Sequence, residues 1–192
     1  MITKAHCVLS FIALAAMSAQ AHASFLGQTM SMTSYYPDLD SLIFGPFNLV
    51  AGAGVEFSGT VRDVGGNVIF NGPAIDIADS SITADYSVLG VSGTFLGADF
   101  NGFVFSDVFG TVPDIVSVTI DEAVTTFAFA PEDIWFTADS IFLNFENLAF
   151  NQSSFWKLDV EFAPSAVPVP AAAWLFGSGL LGVIGVTKRK AV

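Results

Sequence analysis

A strict alternation of apolar and polar residues is the feature that most constrains the fold of this chain. Because the side chains of a β-strand point alternately to its two faces, such a stretch predicts a strand with one buried and one solvated face. Three stretches show the pattern clearly. Their apolar or small positions are Val55, Phe57, Gly59 and Val61, then Val116, Val118 and Ile120, then Trp156, Leu158, Val160 and Phe162.

Six further stretches predict strands, and turn-forming residues separate them. The stretches are residues 28–34, 67–70, 81–88, 102–108, 125–130 and 141–146. The turn residues are Gly65-Gly66, Asn71-Gly72-Pro73, Asp79-Ser80, Asn101-Gly102, Pro113-Asp114 and Pro131-Glu132. Many short strands at this spacing favour an antiparallel sheet architecture over a parallel sheet with helices. The sequence therefore predicts an all-β domain over residues 24–166, an antiparallel β-sandwich or jelly roll.

The first 23 residues are typical of a secretory signal peptide. Lys4 precedes an apolar run over residues 7–17, and the small residues Ala21 and Ala23 form the A-x-A pattern that signal peptidase accepts. The apolar run is too short to cross a bilayer, which needs roughly 20 residues. We therefore expect cleavage after Ala23 and export of the chain.

The C-terminal segment combines prolines, an apolar stretch and a basic tail. Residues 171–186 contain no charged side chain, so a helix over about residues 171–187 is just long enough to enter a membrane. The basic residues that follow predict a cytoplasmic end. The domain before them, with a short stalk that contains Pro164, is then expected on the periplasmic side of the inner membrane.

In its order and spacing this segment resembles the PEP-CTERM sorting signal. The residues that carry the resemblance are Val167, Pro168, Val169, Pro170, Trp174, Lys188, Arg189 and Lys190. The resemblance implies recognition by an exosortase, a membrane enzyme that acts near the Pro-x-Pro element in Gram-negative bacteria producing extracellular polysaccharide. It also implies later processing to the cell surface or extracellular matrix. Val169 stands where the family's namesake motif has glutamate, so the sequence leaves open whether the tail is cleaved.

Charge and missing residue types argue against several function classes. Residues 24–166 contain 18 acidic and two basic residues, a net charge of −16, and such a surface repels nucleic acid. The cysteine Cys7 and the histidines His6 and His22 lie in the predicted leader. The mature chain would then have no thiol nucleophile, no histidine base and no zinc site built from these residues. We expect no enzymatic activity and no bound cofactor.

Two binding roles stay open at this point. Asp38 with Asp40, Asp76 with Asp79, and Asp121 with Glu122 each offer carboxylates to calcium, although none has the spacing of an EF-hand loop. The many phenylalanines, Phe100, Phe103, Phe105, Phe109, Phe142 and Phe145 among them, predict a core of packed aromatic rings. The alternative is an exposed aromatic strip that binds sugar rings. The predicted function is a structural or interaction protein of the cell surface or extracellular matrix, and the alternative is a carbohydrate-binding module, with extracellular polysaccharide as a candidate partner.

Overall fold

A computed structural model describes residues 23–164 of the chain. Almost all of its regular structure in that range is β-strand, with two short 3₁₀ turns at Tyr86–Leu89 and Pro131–Asp133. The strands are β1 Thr29–Tyr35, β2 Leu42–Val50, β3 Val55–Phe57, β4 Thr60–Arg62, β5 Val68–Asn71, β6 Ala74–Ile77, β7 Ser81–Asp85, β8 Gly93–Thr94, β9 Gly102–Asp107, β10 Ile115–Ile120, β11 Ile134–Phe136, β12 Ser140–Asn144, β13 Ala149–Phe150 and β14 Phe155–Phe162.

Two five-stranded antiparallel sheets form the body of the domain. In the first, here the β1 sheet, the strand order is β11-β12-β9-β1-β2. In the second, the β14 sheet, the order is β10-β14-β7-β6-β3. Two small sheets, the β4–β5 hairpin and the β8–β13 pair, are also present among the described residues. The all-β prediction is confirmed, and two antiparallel sheets of this kind are consistent with a β-sandwich.

One hydrophobic core includes the inner faces of both sheets. The ring of Phe105 on β9 meets that of Trp156 on β14 edge to face, with centroids 6.3 Å apart. Both side chains are fully buried. The other large buried side chains of the core include Met30, Met32, Ile75, Ile77, Ile82, Ile141 and Leu143. Burial of apolar side chains from both sheets is what holds the two layers together.

Alternation predicted β14 correctly and β10 in part. Trp156, Leu158 and Val160 are buried on β14, as expected for the inner face of a strand. On β10 the register with β14 shifts between Ile115 and Ser117. The alternation of inward and outward side chains is therefore interrupted at the start of the strand. Val116 is consequently exposed although the sequence predicted it to point inward.

The predicted strand over residues 55–62 is wrong in its continuity. The chain breaks after Phe57, and β3 joins the β14 sheet whereas β4 pairs with β5. Gly59 causes the break, because its φ of +90° lies in a region that only glycine adopts readily. Because apolar or small residues continue to alternate with polar residues across Gly59, the sequence pattern did not indicate this change in backbone direction.

The predicted strand over residues 125–130 is also wrong. That segment has no regular structure, although it runs beside the first half of β14. The hydroxyl oxygens of Thr125 and Thr126 accept hydrogen bonds from the backbone N–H groups of Lys157 and Phe155, at 3.1 and 2.9 Å. Side chains thus supply bonds that a neighbouring strand's carbonyl groups would otherwise make.

The longest strand, β2, was not predicted. Its nine residues include Gly45 and Pro46, and proline within an apolar run argues against a central strand. The structure places β2 at the edge of the β1 sheet, where it pairs only with β1. At an edge, the N–H group that proline lacks is not needed by a second neighbour.

Candidate functional site

Most of the phenylalanine side chains in the described residues belong to the core. Phe103, Phe105 and Phe145 are buried, and Phe145 is surrounded by other aromatic rings. Phe109, which the sequence grouped with them, is 70% exposed because it lies in the turn after β9. The predicted aromatic core is therefore present, and any aromatic binding surface must be sought among the few exposed rings.

The outer face of the β1 sheet carries such a surface. The indole ring of Trp135 on β11 and the ring of Phe142 on β12 are stacked and nearly parallel, with centroids 5.3 Å apart and an interplanar angle of 4°. Phe100 meets Trp135 edge to face at 5.6 Å. We call these three residues the Trp135 platform. Trp135 itself is 37% exposed, so part of its ring remains available to a ligand.

Strand register explains how the platform forms. Trp135 and Phe142 are directly opposite in the β11–β12 ladder, and opposite side chains on one face of an antiparallel pair touch. Their neighbours Phe136 and Ile141 are opposite one another on the other face, where Ile141 is buried in the core. The same two strands therefore present the aromatic pair Trp135 and Phe142 outward, while Ile141 of the adjacent pair packs into the core.

Phe100 completes the platform from a loop rather than from a strand. Its backbone N–H donates to the carbonyl oxygen of Pro37 at 2.9 Å, which fixes the loop before β9. A Cβ on Gly102 would lie 2.9 Å from Cζ of the Phe100 ring. The absence of a side chain at Gly102 thus makes room for Phe100 beside Trp135.

Neither the platform nor its key residue was predicted. The sequence analysis named Phe100 and Phe142 but not Trp135, since residues 134–136 are a short apolar run without alternation. Adjacent large rings in Ile134-Trp135-Phe136 were the available signal, because an edge strand with rings on both faces leaves aromatic surface exposed; Trp135 and Phe136 are 37% and 38% exposed. Their proximity to Phe100 depends on strand pairing, which no local pattern gives.

The acidic pairs predicted as calcium ligands differ in how their carboxylates are bonded within the domain. Oδ1 of Asp38 accepts the backbone N–H of Asp40 at 3.0 Å, as in a local turn. Oδ1 of Asp76 is buried and has no hydrogen-bond partner among the described residues, whereas the backbone oxygen of Asp79 accepts from Phe25. Within residues 23–164, no three His, Cys, Asp or Glu side chains lie together as a metal site would need. Calcium binding stays a prediction.

Asp121 forms part of an ion-paired group on the outer face of the β14 sheet. The Lys157 ammonium lies 2.9 Å from Oδ2 of Asp121 and 3.0 Å from Oδ1 of Asp159. The hydrogen bond from Lys157 lowers the pKa of Asp121, and the bonds to Asp121 and then to Asp159 raise the pKa of Lys157. Both shifts favour the charged forms of Asp121 and Lys157, as expected for an ion pair.

Two buried polar atoms in the core make no hydrogen bond within the described residues. They are the hydroxyl of Tyr86 and Nε1 of Trp156. Burial raises the pKa of the Tyr86 phenol above its ordinary value, and the nearby Trp156 indole opposes that rise. The two groups are thus neighbours, yet their geometry falls short of a hydrogen bond. Burial therefore keeps the phenol of Tyr86 neutral at physiological pH.

The predicted sorting and cleavage residues fall almost entirely outside the described part of the chain. They are Ala21, Val167, Pro168, Val169, Pro170, Trp174, Lys188, Arg189 and Lys190, and only Ala23 lies within it. In residues 23–164, no helix has the length and apolar character needed to span a bilayer. The predicted membrane helix over about residues 171–187 also lies outside the described range.

Comparison with protein-family models, with curated proteins and with solved structures gives no match to this chain.

Proposed function

We propose that this chain is an exported, non-catalytic structural or interaction protein of the cell surface or extracellular matrix, sorted by an exosortase-type system. The observation that carries the proposal is an acidic all-β domain between two targeting signals. The leader with Ala21 and Ala23 directs export, and the PEP-CTERM-like segment over residues 167–192 directs sorting. The basic tail holds the helix with the domain on the periplasmic side until the tail is processed.

The use of acidic side chains in the domain supports a non-catalytic role. Asp63 accepts hydrogen bonds from Asn67, and Asp139 accepts from Thr137 and Ser140, which lowers the pKa of both carboxyl groups. Glu56 accepts the backbone N–H groups of Gly52 and Ile77. All three carboxylates stabilise local structure, and the lowered pKa values of Asp63 and Asp139 favour their ionised forms.

Deletion of residues 167–192 is expected to change where the protein accumulates in its host. The intact chain should be found with the membrane and then at the surface or in the matrix, because the tail inserts and is processed. The deleted form should be a free periplasmic protein. Fractionation with immunoblotting measures both, and mass spectrometry of the mature C-terminus shows whether the chain is cut near Pro170.

A matched variant separates insertion from recognition in this experiment. Replacement of Lys188, Arg189 and Lys190 by glutamine keeps the length of the tail but removes its charge, and should impair orientation. If the deleted form and the intact chain had the same distribution, the sorting proposal would be wrong.

The Trp135 platform favours a second candidate function, the binding of neutral polysaccharide. A partly exposed indole, stacked on a second ring, offers a rigid apolar surface for the C–H face of a sugar. Its support by Phe142 and Phe100 limits the conformational entropy lost on binding. With 16 more acidic than basic residues over 24–166, the domain would repel acidic polysaccharide.

Replacement of Trp135 by alanine is expected to reduce retention on the host's own exopolysaccharide. Loss of a central tryptophan contact costs about 2 kcal/mol, which is about thirtyfold in affinity. Phe136→Ala is the matched control, since Phe136 lies on the same strand, is 38% exposed and belongs to the other face. Binding is measured by pull-down with and without a chelator, which also tests calcium. Equal retention of both variants, or no retention of the wild type, would exclude the platform as a glycan site.

A further inference from the structure

A cavity of about 180 Å³ lies between the β1 sheet, the β4–β5 hairpin, the 3₁₀ turn at Tyr86–Leu89 and the β8–β13 pair. Aromatic and aliphatic side chains make up most of its lining. They are Phe44, Phe70, Tyr86, Leu89, Phe95, Phe103 and Phe150, with Ser34, Asn71, Gly72 and Pro73 completing the wall. The cavity is partly open to solvent, so a small molecule can enter it from the surface.

The β4–β5 hairpin forms one wall of the cavity through Phe70. That ring is buried and packs against Phe44 at 4.7 Å and Phe57 at 5.6 Å. Two glycines shape the base of the hairpin, where the N–H of Gly72 donates to the carbonyl oxygen of Gly59 at 2.6 Å. A Cβ on Gly72 would lie 2.6 Å from the Phe70 ring. The hairpin base is thus built so that Phe70 can lie against the cavity.

The lining restricts the chemistry of the occupant. No charged residue lines the cavity, and an ion would lose its hydration there without compensation. Oδ1 of Asn71 is already bonded to the hydroxyl of Thr60 at 3.1 Å. The net charge of the domain adds repulsion for any anion. An enclosed apolar cavity of about 150 Å³ can hold benzene, so a volume of about 180 Å³ is sufficient for a single ring.

We propose that this cavity binds a small, neutral, single-ring organic molecule, held by the rings of Phe70, Phe95, Phe103 and Phe150. Binding buries the apolar surface of the ligand and restores van der Waals contacts that the lining residues lack. The site is separate from the Trp135 platform, which lies on the outer face of the β1 sheet. A test of ligand binding in the cavity is therefore independent of whether the Trp135 platform binds glycans.

Toluene is the probe, titrated into the isotope-labelled full chain and followed by backbone amide shifts. We expect saturable shifts at residues around the cavity with a Kd of about 1 mM or tighter. Benzoate has the same ring with a carboxylate, and should bind at least about tenfold more weakly. Absence of saturable shifts up to the solubility of toluene, or equal binding of benzoate, would overturn the proposal.

Two leucine variants provide the matched comparison. Leu89→Trp fills the cavity, whereas Leu96→Trp adds the same bulk at a position that is 65% exposed and outside the lining. Leu89→Trp should weaken toluene binding at least about tenfold, and Leu96→Trp less than about twofold. Circular dichroism checks the fold of both, and Ser34→Leu replaces Leu89→Trp if the latter does not fold. Equal toluene affinity in the filled and control variants would contradict the assignment.

Discussion

Replacement of Phe145 by alanine is expected to lower the free energy of unfolding by about 3–5 kcal/mol. Phe145 is fully buried just after β12. Its ring lies 5.0 to 5.8 Å from those of Phe95, Phe103, Phe127 and Phe129. The alanine variant would lose the transfer free energy of the ring and leave a space that four surrounding rings can fill only in part.

The same residue also positions the loop that follows β12. Its N–H donates to the carbonyl oxygen of Asn101 at 2.8 Å, and its own carbonyl oxygen accepts from Leu148 at 2.9 Å. The loop leads to β13, where the ring of Phe150 packs at a tilt against that of Phe95, with centroids 5.0 Å apart. A collapse of the ring cluster would therefore disturb the β8–β13 pair as well as the core.

Chemical denaturation, followed by the fluorescence of the buried Trp156, measures this effect. Phe109→Ala is the control, because that ring is 70% exposed and its loss should change stability by less than about 0.5 kcal/mol. Phe145→Leu should lower the free energy of unfolding less than Phe145→Ala does, because leucine keeps more of the buried side-chain volume. If Phe145→Ala cost less than about 1 kcal/mol, the ring cluster would not be a central part of the core.

Strands with one buried and one solvated face were the predictable part of the fold. On β14 the side chains of Trp156 and Leu158 point inward, while Lys157 and Asp159 form ion pairs outside. Local alternation carries this information because the core and the solvent impose opposite demands on successive residues. The sequence thus predicts such strands without knowledge of their partners.

Features that depend on one backbone angle or on a bond to a distant strand were not predictable. Gly59 redirects the chain through a positive φ, yet glycine fits an alternating pattern equally well. Thr125 and Thr126 bond to β14 through hydroxyl groups, although their sequence is typical of a strand. Pro46 is tolerated in β2 only because β2 is an edge strand. Each case was decided by tertiary position, which local patterns do not contain.

The candidate sites were harder to predict than the fold for the same reason. Trp135 and Phe142 are opposite only through the β11–β12 register, and Phe100 reaches them through the loop before β9. Residues lining the cavity come from Ser34 to Phe150 along the chain. By contrast, the residues of the proposed sorting signal all lie within the single segment 167–192, and a local signal of that kind can be recognised directly in the sequence.

Replacement of Gly102 by alanine is expected to destabilise the domain by about 3 kcal/mol or more. Gly102 begins β9 and is buried between Tyr35 of β1 and Asn144 of β12. An added Cβ would lie on the backbone carbonyl oxygen of Leu143 and 2.9 Å from the Phe100 ring. Since the oxygen belongs to a central ladder, β9 and β12 would have to separate to admit the methyl group.

Gly52→Ala is the matched control for this substitution. A Cβ at Gly52 would meet only Oε1 of Glu56 at 3.7 Å and the backbone oxygen of Val50 at 3.8 Å, and its effect should stay within about 0.5 kcal/mol. Chemical denaturation compares the two variants. The Gly102 variant should also move Phe100 and thereby change the fluorescence of Trp135, which Phe100 contacts edge to face. Stability of Gly102→Ala within about 1 kcal/mol of the wild type would show that the β9–β12 ladder is not as close as the structure has it.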